Sequence, residues 1–349
     1  MVSRPVRLIA AFVVIVAVAL VGSVALSLGG AGGALDGENV KGQSPEQFQP
    51  ENVNQEFDPE SGEIDIDSEA DDKRILVDTR HGNQLSESKL EPVTEAMFGA
   101  GYTIEFDDGG ESQSRSGNGG AGYRETLQNY DGLLVVQPTQ EFSGSEIEAI
   151  RDYTDAGGRV VVLAEPTQVQ GGAGLFGVPS AVSFGADNLT QKYGVQIGSE
   201  MLYNIADAEN DNNFKSIYAS PDEDGTLTEG VERVNFDMAG YAVVRNTRVV
   251  DVLYTAVDGT SSLDTRRTDS YPVVARNDNL VFVADSTFIE RANVYDVDNE
   301  AFVGNLMEFL VSGDLDPGFG PDRESTEPRA PPTAPETPTP PEPSNATSG

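Results

Sequence analysis

Four uninterrupted apolar runs, each closing on a polar or acidic residue, constrain the fold of this chain more than any other feature. They are ILVD (75–78), LLVVQP (133–138), VVVLAEP (160–166) and LVFVAD (280–285). A strand covered on one face alternates apolar with polar residues, whereas a strand covered on both faces reads as a continuous run. Four such runs therefore predict a parallel sheet with helices on both sides.

Helical patterns fall between the runs. Residues 86–102, SESKLEPVTEAMFGAGY, place Leu90, Val93, Met97 and Phe98 on one face, and Ser88 with Glu91 has the spacing of a capping box. Residues 143–158, SGSEIEAIRDYTDAGG, repeat the plan, with Ser145 and Glu148 as cap and Ile147, Ile150 and Tyr153 or Thr154 toward the sheet. Residues 299–313 put Phe302, Leu306, Phe309 and Leu310 on one stripe. The alternation predicts an open, mainly parallel α/β sheet over residues 73–316. Residues 187–275 differ: YAVV, RVVDVLYTAV and YPVVAR are short strand-like runs between Asp, Gly and Asn turns, a β-rich extension of the same sheet.

Outside this domain the chain changes character. Residues 8–28 are uncharged and apolar, long enough to cross a hydrocarbon core, so residues 1–28 read as a transmembrane anchor rather than a cleaved signal peptide. Arg4 and Arg7 precede the run, which keeps the N-terminus cytoplasmic and places the domain outside the cell. Residues 29–72 read as a flexible acidic linker and residues 317–349 as a disordered Pro, Thr and Glu tail. Asn188 and Asn345 open Asn-x-Thr sequons.

With 58 acidic against 22 basic residues the formal net charge is -36, which repels nucleic acid and anionic lipid heads. The expected partner is another membrane or envelope protein, and the expected contact with the bilayer is the N-terminal helix alone. Acid excess with scarce lysine resembles the composition of salt-loving archaeal proteins. The chain has no cysteine, hence no disulfide, no thiol nucleophile and no lipoprotein anchor.

The order of segments resembles the DUF4350 family of membrane-associated domains over about residues 73–312. The resemblance rests on a strand ending in Asp78 with His81-Gly82 behind it, a helix ending in Gly101-Tyr102, then FSGSEIEAIRDYTDAGGRVVVLAEP, and on the later stretches LTQKYGVQI, LTEGVERVNFDMAGYAVV and YPVVARNDNLVFVADSTFIERANVYDVDNEAFVGNLMEFL. That family belongs to a wider set that includes gliding-motility auxiliary proteins of ABC transporters and the N-terminal domain of intraflagellar transport protein 52. The resemblance implies a fold like that of class I glutamine amidotransferases, or more broadly a flavodoxin-like one. It also implies an Asp285-Ser286 pair after the last strand and an Asn299-bearing final helix.

In an open α/β sheet, ligands gather beyond the carboxyl ends of the strands. Asp78, Gln137, Glu165 and Asp285 stand at such ends, with His81, the one histidine, and Asn83 just past the first. Together with Ser286 and Asn299 they form the candidate crevice. Glutaminase chemistry needs a Cys that this chain lacks, and the nearest serine motif, FSGSE, reads as a helix cap. A hydrolase with His81 as base, oriented by Asp78, and Glu165 or Asp285 as acid is one reading. The other makes Asp78 a turn cap and His81 a partner of backbone groups, and with a single His and no nucleophile it is the one expected.

Other motifs lead nowhere chemical. YDVDNE (295–300) and PDEDG (221–225) miss the calcium-loop pattern and read as solvated turns. GNGGAG (117–122) and GAGLFG (172–177) match a dinucleotide fingerprint only in spacing and read as loops. Neither a cofactor nor a metal is called for. The expectation is a noncatalytic binding or assembly module. Its alternative is an extracytoplasmic hydrolase or small-ligand-binding protein.

Overall fold

A computed structural model describes residues 61–66, 73–84, 86–107, 119–170, 180–206, 208–211 and 213–319. The chain divides into units 1–58 and 59–349, and every described residue belongs to the second. The apolar span 8–28, GAGLFG (172–177) and Asn345 lie outside the described residues. Among the described residues no helix is long and apolar enough to cross a membrane.

The apolar runs become β1 (Arg74–Asp78), β3 (Gly132–Val136), β4 (Arg159–Leu163) and β15 (Leu280–Val283), buried along nearly their whole length. A shorter strand, β2 (Thr103–Asp107), lies beside β1 at the edge. Between β4 and β15 the chain makes β5 (Gln168–Gln170), β6 (Ser180–Val182), β7 (Val195–Ile197), β8 (Leu202–Tyr203), β9 (Ser216–Pro221), β10 (Val234–Asp237), β11 (Ala242–Val244), β12 (Asp251–Ala256), β13 (Ser261–Ser262) and β14 (Pro272–Asn277). Nine strands form one sheet in the order β10-β9-β12-β14-β15-β4-β3-β1-β2, while β5–β6, β7–β11 and β8–β13 are separate two-stranded ribbons.

The sheet is mixed rather than mainly parallel. From β2 to β15 the neighbours are parallel, and from β15 to β10 they are antiparallel. The spacing explains the change. Parallel neighbours need a crossover of a dozen or more residues, which the helices supply, whereas the Asp-Asn turn between β14 and β15 permits only a hairpin.

Helices cover both faces. One core layer holds Val93 and Met97 of α1 (Glu91–Gly99), with Leu90 at its cap, and Phe302, Leu306 and Leu310 of α5 (Asn299–Val311). The other holds Tyr123 and Leu127 of α2 (Gly119–Leu127) and Ile147, Ile150 and Tyr153 of α3 (Gly144–Asp155). A four-residue helix, α4 (Asp187–Thr190), leads to β7. The GNGGAG segment thus enters a helix, α2, and not merely a loop before a strand.

Three local expectations are corrected. No side chain caps α1: residues 87–89 form a 3-10 turn, Pro92 occupies the first turn, and Leu90 stands at the cap. Phe98, expected on the buried stripe, is 83% exposed. At α3 the capping box is made by Ser143 and Glu146 instead of Ser145 and Glu148, with Ser143 N–H donating to Glu146 Oε2 (2.8 Å) and Glu146 N–H to Ser143 Oγ (3.3 Å).

Packing also reaches past residues 73–316 at both ends. Ile64 and Ile66 are buried in the α1–α5 layer, so residues 61–66 act as a strap on the domain rather than as linker. Gly304 in α5 permits this approach, because a Cβ there would lie 2.4 Å from the Asp65 carbonyl oxygen. At the other end Phe319 is buried against Tyr153, with the Arg124 guanidinium over its ring.

Candidate strand-end site

Asp78 ends β1 with no exposed surface, and the turn that follows brings His81 back over it. Gly82 makes the turn possible. Its φ of +66 is costly for any residue with a side chain, and a Cβ would stand 2.6 Å from Thr139 Oγ1. The turn is stitched to the segment after β3. The His81 carbonyl accepts from Thr139 N–H and Gln140 N–H (both 2.9 Å), and Asn83 Nδ2 donates to the Val136 carbonyl (2.7 Å). Gln137, in the left-handed region at φ 40, donates its N–H to Leu163 O and accepts from Gln84 N–H. Two backbone bonds thus hold an uncommon conformation in place.

The His81 ring is occupied on every side. Nδ1 lies 2.8 Å from Asp78 Oδ2 and 3.0 Å from Oδ1, and the Glu146 carboxylate stands 3.6 Å from Nε2. Phe142 stacks on the ring at 3.7 Å between centroids, while Tyr123 meets it edge-on and points its hydroxyl at Asp78 Oδ1 (3.4 Å). Burial works against charge on the imidazole, but the bonds to Asp78 and Glu146 outweigh it and lift the pKa to about 9. In return the bond with His81, helped by those from Ser143 and opposed by burial, draws Glu146 down to about 2.

A value raised to about 9 favours the charged ring at neutral pH, set between Asp78 and Glu146. A protonated ring with both nitrogens turned to carboxylates has no lone pair with which to accept a proton. The His81 ring is thus bonded to the Asp78 side chain and faces the Glu146 carboxylate, where backbone partners were expected, and Asp78 serves His81 rather than capping the turn. Alongside, Arg80 pairs with Asp107 (2.6 Å), both nearly buried, and lies over the Tyr123 ring.

Glu165 and Asp285 form a second group at the ends of adjacent strands β4 and β15. Glu165 Oε1 accepts from Ser286 N–H (2.8 Å) and Ser286 Oγ (2.6 Å), and Oε2 from Gln168 Nε2 (3.2 Å). Asp285 Oδ1 accepts from Thr287 N–H (2.7 Å), Thr287 Oγ1 (3.0 Å) and Phe288 N–H (3.0 Å). Burial raises Glu165 to about 7 against the pull of those donors. Burial and the neighbouring Glu165 charge raise Asp285 well above its ordinary range. Like charges at one buried place resist joint ionisation.

Asp78, His81, Asn83 and Gln137 thus gather at one place and Glu165, Asp285 and Ser286 at another, with no shared hydrogen-bond partner among the described residues. Asn299 belongs to neither. At the start of α5 its amide accepts from Asn235 N–H (2.9 Å) and donates to the Asn235 (3.0 Å) and Asn293 (2.8 Å) carbonyls, bracing β10. The acids of YDVDNE are anchors more than solvated turns: Asp298 accepts from Glu232 N–H and Arg233 N–H, and Asp296 from Asn235 Nδ2. Asn188 Nδ2, the atom that would carry a glycan, donates to the Phe142 carbonyl (2.6 Å). Among the described residues no set of three or more His, Asp or Glu side chains is arranged to hold a metal ion.

Glu146, Tyr123 and Phe142 complete the histidine group, and they were not anticipated from the sequence. The available signal was the Ser143-x-x-Glu146 spacing inside FSGSE, which is the capping box that positions the Glu146 carboxylate. Cavities of about 440, 430, 600 and 520 Å³ lie elsewhere: beside the strap, around residues 222–228, along α1 and β2, and around residues 224–232. None is lined by Asp78, His81, Glu165 or Asp285.

The protein family described as an ABC-type uncharacterized transport system matches residues 72–250. Among solved structures, the mmIFT52 N-terminal domain is similar with a TM-score of 0.51 and 12% identity, over 69% of this chain and 99% of that one. At that identity the likeness is one of fold alone. A glutamine amidotransferase from Thermotoga maritima is matched more slightly, with a TM-score of 0.39 and 9% identity over 69% of this chain and 96% of its own, and nothing is built on it. No curated protein matches the chain.

Proposed function

Because the chain belongs to the ABC-type uncharacterized transport system family, we propose that its α/β domain is a noncatalytic binding or assembly module of a membrane-associated transport system. The observation that carries this reading is the commitment of the strand-end groups to one another. His81 is buried with Nδ1 on Asp78 and Nε2 facing Glu146, and Glu165 and Asp285 are taken up by Ser286, Thr287 and Phe288. The sequence supplies no cysteine for the thioester chemistry of a glutaminase.

The finer reading places the chain near DUF4350, in an organism that lives in salt. Residues 8–28 anchor it in the membrane, with the N-terminus inside and the domain outside the cell. Its partner is another membrane or envelope protein. The alternative, a hydrolase using His81 as base with the strand-end carboxylates, requires a neutral imidazole, which the Asp78 and Glu146 contacts oppose.

Crosslinking the full chain in native membranes at high salt, followed by purification, tests the module. The expected result is one reproducible membrane-protein partner with components of a transporter, retained in His81→Gln. Recovery of the chain alone, or a turnover abolished by His81→Gln, would overturn the reading.

A further inference from the structure

Two side chains seat residues 61–66 on the domain. Ile64 and Ile66 enter the α1–α5 layer, while Ser61, Gly62, Glu63 and Asp65 are exposed. Among the described residues no backbone hydrogen bond joins this strap to a helix or a strand. The segment at the other end of the domain is tied more firmly, with Asp316 N–H donating to the Ala156 carbonyl (2.8 Å).

The seat is shaped for a passing chain. Ala96, Gly99 and Ala100 of α1 keep it shallow, and Gly304 of α5 admits the Asp65 carbonyl. A cavity of about 440 Å³ remains between the strap and α1, so the contact is incompletely filled. A segment with two apolar anchors and no backbone bonds stands at the low end of local stability, where part of a fold opens without the rest.

Charge opposes the seat. Glu63 and Asp65 of the strap and Glu95 of α1 line the same cavity. None of the three forms an ion pair among the described residues. Arg291, which also feels the Glu95 charge, is paired with Glu91 (2.9 Å). Seating thus brings two strap carboxylates to an acidic rim, in a chain of formal net charge -36. Dissolved salt screens that repulsion, because the screening length falls from about 10 Å at 0.1 M to about 3 Å at 1 M.

We propose that residues 61–66 form a releasable latch, seated when salt screens the acidic rim and released when it does not. If residues 8–28 anchor the chain as read above, release adds the strap to the tether and lengthens the reach of the domain. That use rests on the anchor, whereas the latch itself does not.

The test exploits the absence of cysteine. In the full chain in detergent, the single thiol of Ile66→Cys reacts with a neutral reagent when the strap opens. The single thiol of Val161→Cys, at a position with no exposed surface in β4, reacts only when the fold opens. Rates are taken relative to a free thiol in the same salt. Ile66→Cys should react about a hundredfold faster than Val161→Cys, or more. It should also react about fivefold faster at 0.1 M than at 2 M KCl, the size of one like-charge contact at a few ångström in water. Adding Glu63→Gln and Asp65→Asn should remove that salt dependence and leave the Val161→Cys rate at each salt unchanged.

Cysteine is smaller than isoleucine and itself loosens the seat, so the wild type is followed in parallel by limited proteolysis within residues 61–66. Its cleavage, relative to a peptide of the same sequence, should slow at high salt. In Gly304→Ala, where the Asp65 carbonyl has lost its place, cleavage should be fast at both salts. Equal reaction of the two thiols would show that the strap opens only with the whole fold, and would overturn the proposal. So would a salt dependence that survives removal of the two acids, or wild-type cleavage that is independent of salt.

Discussion

Replacing His81 with Ala takes an imidazolium from between Asp78 and Glu146 and leaves Asp78, with no exposed surface, facing the Tyr123 hydroxyl at 3.4 Å. Two routes give the size of the effect. Lifting the imidazole from 6.5 to about 9 corresponds to about 3 kcal/mol of preference for the charged ring in the fold. Breaking a buried ion pair by removing one partner costs about 3–5 kcal/mol. They are two views of one interaction and are not summed.

The sign follows from the raised value. The contribution is fully present below the ordinary histidine value of 6.5 and is lost as pH rises through about 9. Urea denaturation of the full chain and of His81→Ala, at both ends of that window, reads the effect. The wild type should lose stability with rising pH, and the variant should start about 3 kcal/mol lower and lack that slope. Equal stability of the two below pH 6.5, or parallel slopes, would refute the ion clamp.

Two further outcomes are expected. Burial holds Glu165 up at about 7, so its ionisation opposes folding increasingly as pH rises from 4.5 to 7. Glu165→Gln, which keeps an oxygen for Ser286, should gain about 3 kcal/mol on the wild type across that interval by denaturation, and a difference independent of pH would count against it. Gly304→Ala should lower stability by about 1–3 kcal/mol, because the new Cβ meets the Asp65 carbonyl. The same change should expose the 61–66 strap to limited proteolysis, whereas the stabilisation usual for Gly to Ala in a helix would show that the strap is not seated there.

The sequence announced the parallel half of the sheet because a strand buried on both faces leaves an unbroken apolar run, as in β1, β3, β4 and β15. β2 escaped notice because an edge strand is half exposed, and Thr-Ile-Glu-Phe-Asp reads as a polar stretch. The strap escaped for a similar reason: Ile64 and Ile66 alternate with acids, so composition spoke for a linker where period-two burial was at work. Ser145 and Ser143 lie two residues apart and both have a glutamate three residues on, and propensity does not choose between them. The choice falls to tertiary contact, since Glu146 is the acid that reaches His81. The strand-end carboxylates were legible one by one, but their division into two groups was not, because that depends on the order β15-β4-β3-β1.

A single histidine makes the central claim directly measurable, since one imidazole gives one set of NMR signals. The ion clamp predicts that His81 in the full chain is doubly protonated at neutral pH and titrates near 9. A neutral ring at pH 7, with a nitrogen available to accept a proton, would contradict the clamp and return His81 to the role of a base.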